Sequence, residues 1–280
     1  MGLLKRSRDR YDATYVPQPR DFTAIFPHIM TRRGDAVVFG SMNVDVEDLL
    51  AYVEASKGTD HEVTFFQAVL LAVVKTLRQR PRLNRYVMGR RLYQRRDVVI
   101  GFTARRGFTD DASETPVLIT ITPDDDAPTM RRKITGQIRA AKSGEDKADD
   151  QLISQVMRLP RGVLAVLVKG LKLWEYYVDS PKFLRGVDPL HCSVRVTNLG
   201  SVGGHAPYHH LFEWGTCSLM VAVGKITREL TLGPDDEPVA HRMAQFRITI
   251  DERVTDGYDV ARAMDLFVDY LAHPEKLETA

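Results

Sequence analysis

Four ionisable side chains fall within six positions near the C-terminus: Asp251, Glu252, Arg253 and Asp256, with Gly257 directly after. They stand between a short apolar run ending at Ile250 and a helix-periodic stretch carrying Val260, Met264, Phe267, Val268 and Leu271. A carboxylate at a strand end does general-base chemistry when its pKa is brought near the working pH. The same residues also have a purely structural use. Asp256 is placed to cap the following helix, Gly257 permits a tight turn, and Arg253 is within reach of Asp251 or Asp256. That use accounts for the cap and the ion pair. It leaves Glu252 unexplained.

A second group of reactive side chains lies in APYHHLFEW, with His209 and His210 adjacent and His205 and Glu213 nearby. The spacing His205, His209, His210, Glu213 would suit a metal on a helix. Gly204 and Pro207 argue for a loop instead, and two adjacent histidines usually diverge, so no metal site is expected. His210 is kept as a candidate proton carrier beside the simpler reading of a packed or solvent-facing pair. The two cysteines, Cys192 and Cys217, show neither a CxxC spacing nor a metal pattern, which suits reduced thiols and a cytoplasmic location.

The chain has 280 residues, 39 basic and 37 acidic, for a net charge of +2. That balance excludes a dedicated nucleic-acid binder. The longest apolar stretch, Gly162 to Val168, is broken by Lys169 and is far short of the roughly 20 residues a membrane span needs. The N-terminus lacks the apolar segment of a signal peptide. No GxGxxG follows a strand and there is no Walker lysine motif, so nucleotide folds are not expected.

The elements that must position these residues are legible as periodicities. AVVFGSMNVDV, residues 36–46, predicts a strand, with Asp45 opening a helix whose apolar face is Leu49, Leu50 and Val53. Thr64 and Gln67 form a capping-box pair before a helix apolar on most faces, which stops at Pro81. Strands are predicted over 85–92, 97–103, 116–122, 193–197, 216–223 and 246–250. Helices are predicted on Met130, Ile134, Ile138 and Ala141, over 152–159, over 163–178, and after Asp256. The grouping of strands with neighbouring helices predicts one mixed α/β domain, 36–280: a two-layer sandwich of a mixed β-sheet covered by helices. Residues 1–35 read as an N-terminal arm or a short helix around Phe22 to Met30.

DERVTDG (251–257) resembles the active-site signature of the chloramphenicol acetyltransferase and dihydrolipoyl acyltransferase superfamily: His, three residues, Asp or Asn, Gly. VRVTNLGSVGG (194–204), SLMVAVGKI (218–226), VTFFQAVLLAVVKTLRQRPRLN (63–84) and RRDVVIGFTA resemble further family segments in the same order. The likeness runs roughly over residues 36–275. It implies a chloramphenicol acetyltransferase-like fold, a homotrimer, and an active site at the subunit interface. There the thiol of coenzyme A or of a lipoyl-bearing partner would enter, with acyl-coenzyme A as substrate and no tightly bound cofactor. The lipoyl domain of a complete dihydrolipoyl acyltransferase is not expected in this chain.

Carried over residue by residue, the resemblance puts Thr197, followed by Asn198, at the position of the hydroxyl that stabilises the oxyanion. Asp256 is then the motif aspartate that holds the site in shape through an arginine, for which Arg253 is the neighbouring candidate. Glu252 stands where the family has its histidine. Imidazole titrates near ~6.5 and a glutamate side chain near ~4.3, so the replacement weakens the base by about two units unless burial restores it. Two readings stay open. One is an acyltransferase moving an acyl group between coenzyme A and a thiol or hydroxyl, with Glu252 or His210 as base. The other is a catalytically inactive trimeric binding or assembly subunit.

Overall fold

The computed structural model describes residues 8–17, 22–105, 114–143, 158–185, 188–232 and 235–279. Nine strands are described: β1 (Ala13–Val16), β2 (Val37–Asp45), β3 (Arg85–Met88), β4 (Arg91–Arg95), β5 (Val98–Arg105), β6 (Glu114–Ile121), β7 (Val194–Asn198), β8 (Leu219–Leu232) and β9 (Pro238–Asp251). The main sheet has six strands in the order β2-β9-β8-β7-β5-β6. Only β5–β7 and β7–β8 are parallel, so the sheet is mixed.

Alternation along the strands sends one set of apolar side chains to a single face. Ile100, Ile119, Val194, Val196, Val221, Val223, Phe246, Ile248 and Ile250 are all buried there. The helices α2 (Glu47–Ser56), α3 (Phe65–Gln79), α4 (Ala127–Ser143) and α6 (Gly257–Ala272) supply residues to the same core. α3 lies in its middle, and every residue from Gln67 to Leu77 is buried, which explains a helix apolar on most faces. Its start is fixed by the expected capping box: Thr64 Oγ1 accepts from Gln67 N at 3.3 Å and Gln67 Oε1 accepts from Thr64 N at 2.7 Å. Asp45 opens α2 by accepting from Glu47 N at 2.9 Å. The two-layer arrangement of a mixed sheet under helices is as expected from the sequence.

Three local features differ from expectation. The stretch 85–92 is a hairpin rather than one strand, because Gly89 (φ 57°) and Arg90 (φ 60°) both turn left-handed between β3 and β4. Gly89 is required there by packing as well, since a Cβ would lie 2.3 Å from the Tyr176 carbonyl oxygen. The strands expected at 216–223 and 246–250 continue as a long β8–β9 hairpin through Leu232 and Pro238. Within the first 35 residues, β1 pairs with β4 in a separate three-stranded sheet of order β1-β4-β3. Residues 22–25 form a 3-10 turn leading into the short helix α1 (Phe26–Ile29). Of the helix expected at 152–159, residues 152–157 lie outside the described residues.

The remaining helix, α5 (Arg161–Tyr177), carries apolar side chains that the other described residues do not cover. Val166 is 71% exposed, Leu173 63% and Tyr177 73%. Of its residues only Glu175 is buried. Among the described residues no helix is long and apolar enough to cross a membrane.

Candidate active site

The charged knot at the end of β9 resolves into two structural devices and one free carboxylate. Asp256 caps α6, its Oδ1 accepting from Asp259 N at 2.9 Å, and its Oδ2 lies 3.7 Å from Arg82. Asp251 is fully buried and is gripped by Arg253, with Nε donating to Oδ1 at 2.8 Å and NH2 donating to Oδ2 at 2.6 Å. Of the two carboxylates open to Arg253 in the sequence, the fold selects Asp251. A second cation, Arg33, lies with its Nε 3.7 Å from Asp251 Oδ2. Burial lowers the Arg33 guanidinium pKa, and the Asp251 charge opposes that shift. Arg33 also donates to the carbonyls of Phe212 and Gly215, and Arg253 donates to Met30 O at 2.8 Å. The aspartate and its two arginines therefore tie two distant segments, 30–33 and 212–215, to the end of β9.

Glu252 is the one carboxylate of the knot left for chemistry. Its backbone N–H donates to Ala36 O at 2.9 Å, which fixes its place after β9. Its side chain is exposed within the single chain. It lines an open cleft of about 420 Å³ together with Pro27, Arg82, Arg85, Arg253 and Asp256.

Thr197 lies elsewhere on the sheet. Val194 and Val196 face the core, so strand alternation turns Thr197 to the opposite face, half-buried. Among the described residues its hydroxyl has no hydrogen-bond partner. Its neighbours across the sheet are Ala222 and then Arg247. Asn198 is occupied in the following turn, where its Oδ1 accepts from Ser201 N at 3.3 Å. Gly200 allows that turn to lie against β8, since a Cβ there would be 2.4 Å from the Gly224 carbonyl oxygen.

The register separates the two candidate groups. Ile250 pairs with Leu219, which pairs with Val194, so Glu252 lies beyond the start of β7 whereas Thr197 lies near its far end. At about 3.3 Å per residue along the strands and about 4.8 Å between strands, their backbones are about 19 Å apart. One chain cannot bring these two side chains to one reacting atom.

His210 does not join either group. The His209 and His210 rings stack at 4.9 Å and both contact Phe212. Their Nδ1 atoms face backbone carbonyls, His209 to His210 O at 2.7 Å and His210 to Leu211 O at 3.0 Å. Thr249 Oγ1 donates to His209 O at 2.6 Å and pins the loop to β9. Among the described residues no group of three or more His, Cys, Asp or Glu is arranged to hold a metal.

Sequence reasoning missed Arg33, Arg195 and Arg247. Arg195 lies two residues before Thr197 on the same strand face, its guanidinium on Thr103 Oγ1 at 2.9 Å and Pro189 O at 3.2 Å. The signal for Arg195 and Arg247 is an arginine at the outward position of an otherwise apolar strand. Arg33 carries no local signal, because its partners are distant in the chain.

Comparison with known proteins bears out the superfamily resemblance. Residues 190–279 match the family of 2-oxoacid dehydrogenases acyltransferase (catalytic domain). The fold is shared with a probable dihydrolipoamide acetyltransferase from Listeria monocytogenes 4b F2365, at 14% identity and a TM-score of 0.59 over 92% of this chain and 94% of that one. It is also shared with the cubic core of a pyruvate dehydrogenase multienzyme complex, at 17% identity and a TM-score of 0.59 over 94% and 92% of the two chains. A chloramphenicol acetyltransferase gives 10% identity and a TM-score of 0.53 over 92% and 99%. No curated protein matches the chain by sequence. The chain thus has the fold of the chloramphenicol acetyltransferase and dihydrolipoyl acyltransferase superfamily, and over residues 190–279 it matches the acyltransferase catalytic domain in sequence.

Proposed function

We propose that the chain is an acyltransferase that moves an acyl group between coenzyme A and a thiol or hydroxyl acceptor, in a site completed by a second copy within a homotrimer. The observation that carries this reading is the separation of Glu252 and Thr197 within one chain, each in a setting that suits half of the reaction. Glu252, on a cleft wall, would take the acceptor proton. Thr197, with a hydroxyl free to donate, would stabilise the oxyanion of the tetrahedral intermediate from the neighbouring copy. The uncovered apolar side chains of α5 supply surface for such an assembly. Covering the Glu252 cleft would also withdraw its carboxylate from water, the condition that strengthens a carboxylate as base. Asp251, Arg33 and Arg253 act as positioning residues for the end of β9. A lipoyl-bearing protein would be a natural thiol acceptor for this class of fold, and the cytoplasm a fitting location.

One observation favours a second reading, a catalytically inactive binding or assembly subunit: Glu252 is exposed in the isolated chain. A thiol-release assay on purified protein separates the two. Catalysis by the carboxylate predicts transfer by the native chain and a loss on the order of 10²–10⁴-fold in Glu252→Gln. Transfer gained only in Glu252→His would identify an inactive subunit.

A further inference from the structure

The cleft beside Glu252 contains a cation that no carboxylate among the described residues contacts directly. Arg253 is paired with Asp251, and Arg82 with Asp259 at 3.0 Å and Asp256 at 3.7 Å. Arg85, the first residue of β3, is half-buried and forms no ion pair among the described residues. Its one side-chain hydrogen bond is from Nε to Gln94 Oε1 at 2.9 Å. Gln94 is itself fixed by donating to Pro81 O at 2.9 Å and Asn84 O at 3.1 Å. One edge of the guanidinium is therefore anchored, and the residue forms part of the cleft wall.

The arrangement is costly as it stands. Burial first, and then the neighbouring Arg82, lower the Arg85 pKa, and the more distant charge of Asp259 opposes that shift without reversing it. A partly buried, anchored guanidinium with no carboxylate in direct contact gains most from a counter-charge that a ligand brings. The planar fork of arginine matches carboxylate and phosphate oxygens in a two-bonded geometry. The apolar wall of the cleft, Ala24, Phe26, Pro27 and Leu92, would shield that contact from water. Glu252 and Asp256 line the same space and would repel an anion placed against them. The charged end of a ligand is therefore directed to Arg85 and its reacting end to Glu252.

We propose that this cleft receives a ligand presenting a carboxylate or phosphate group, with Arg85 as its receptor. Arg85 then determines specificity for an anionic acyl group or acceptor. This second clause rests on the acyl-transfer reading; the anion site itself does not.

Titration calorimetry on the full chain tests both parts. The probes are acetyl-coenzyme A, a coenzyme A thioester whose acyl group ends in a carboxylate (succinyl-coenzyme A), free succinate and inorganic phosphate. The expected result is at least tenfold tighter binding of the charged thioester. Arg85→Gln abolishes that preference and Arg85→Lys retains part of it, each variant having the native circular dichroism spectrum. Equal affinities for the two thioesters, or a preference unchanged in Arg85→Gln, overturn the specificity claim. If neither thioester binds, the acyl-transfer reading fails while the anion site is still decided. Saturable succinate or phosphate binding that Arg85→Gln removes supports it, and the stronger of the two identifies the group. Absence of binding by both, or binding that persists in Arg85→Gln, overturns it.

Discussion

Arg253 closes on Asp251 through two hydrogen bonds, 2.8 Å and 2.6 Å, across a single intervening residue, Glu252. The backbone is thereby drawn into a tight turn in which the middle side chain has no route into the core. With Asp251 fully buried and Arg33 on its other side, the pair is a structural clamp that presents Glu252 at the cleft. Removing the carboxylate strands two buried guanidinium groups. Asp251→Ala is expected to destabilise the fold by about 3–5 kcal/mol. A urea denaturation series reads this as a lowered midpoint at unchanged slope. A midpoint within experimental error of the native chain contradicts the clamp.

Asp256 is a cap first and a partner of Arg82 second, because the Asp259 N–H contact is short whereas the Arg82 contact is 3.7 Å and exposed. Asparagine caps helices about as well as aspartate, and alanine does not. Asp256→Asn is therefore expected to leave stability nearly unchanged, and Asp256→Ala to cost about 1 kcal/mol. Equal losses in the two variants, measured by thermal melting, would assign the role to charge instead.

How much of this was legible in the sequence depends on the distance between partners. The Thr64–Gln67 capping box and the Asp256 cap are local, and both stand as the residue types indicate. The long helices and the mixed sheet follow from periodicity. The β3–β4 hairpin was hidden because Gly89-Arg90 is an uncommon pair for a left-handed two-residue turn. β1 was hidden because a short strand in a charged segment gains its partner, β4, only in the folded chain. The choice of Asp251 over Asp256 for Arg253 depended on Asp251 being buried beside Arg33, which no local pattern reports. Glu252 and Thr197 were legible as residues through the family motifs. Their separation became visible only through strand register.

A buried histidine makes stability fall in alkali. His191 lies between two carboxylates, with Nε2 3.1 Å from Glu175 Oε1 and Nδ1 3.1 Å from Asp188 Oδ2. Burial alone would lower its pKa, but the hydrogen bonds and charges of Asp188 and Glu175 prevail and raise it to about 9. The folded value exceeds the unfolded one of about 6.5, so the protonated ring stabilises the fold fully below about pH 6.5. That stabilisation, about 3 kcal/mol at most, is lost as pH rises through about 9. Thermal unfolding between pH 6 and 10 should show the decline, and His191→Gln should be less stable at pH 6 with a flatter alkaline dependence. The same alkaline dependence in the variant as in the native chain would contradict the assignment.

The turn after Thr197 depends on Gly200 touching the backbone of Gly224, where a side chain has no space. Gly200→Ala is expected to displace this turn from β8 and to destabilise the fold by about 1–3 kcal/mol, as overpacking does. Transfer activity should fall further than stability, because Thr197 lies at the same strand end. Native stability with native activity would show that the contact is not required.

The direct test of a site shared between copies is complementation. Glu252→Gln and Thr197→Val chains are purified separately, then unfolded and refolded together, and thiol release from an acyl-coenzyme A is measured. Two damaged halves on different copies leave some interfaces with an intact Glu252 facing an intact Thr197. The account predicts that each variant alone is inactive and that the mixture recovers a substantial fraction of native transfer. A mixture as inactive as its components, or a Glu252→Gln chain as active as the native one, would contradict it.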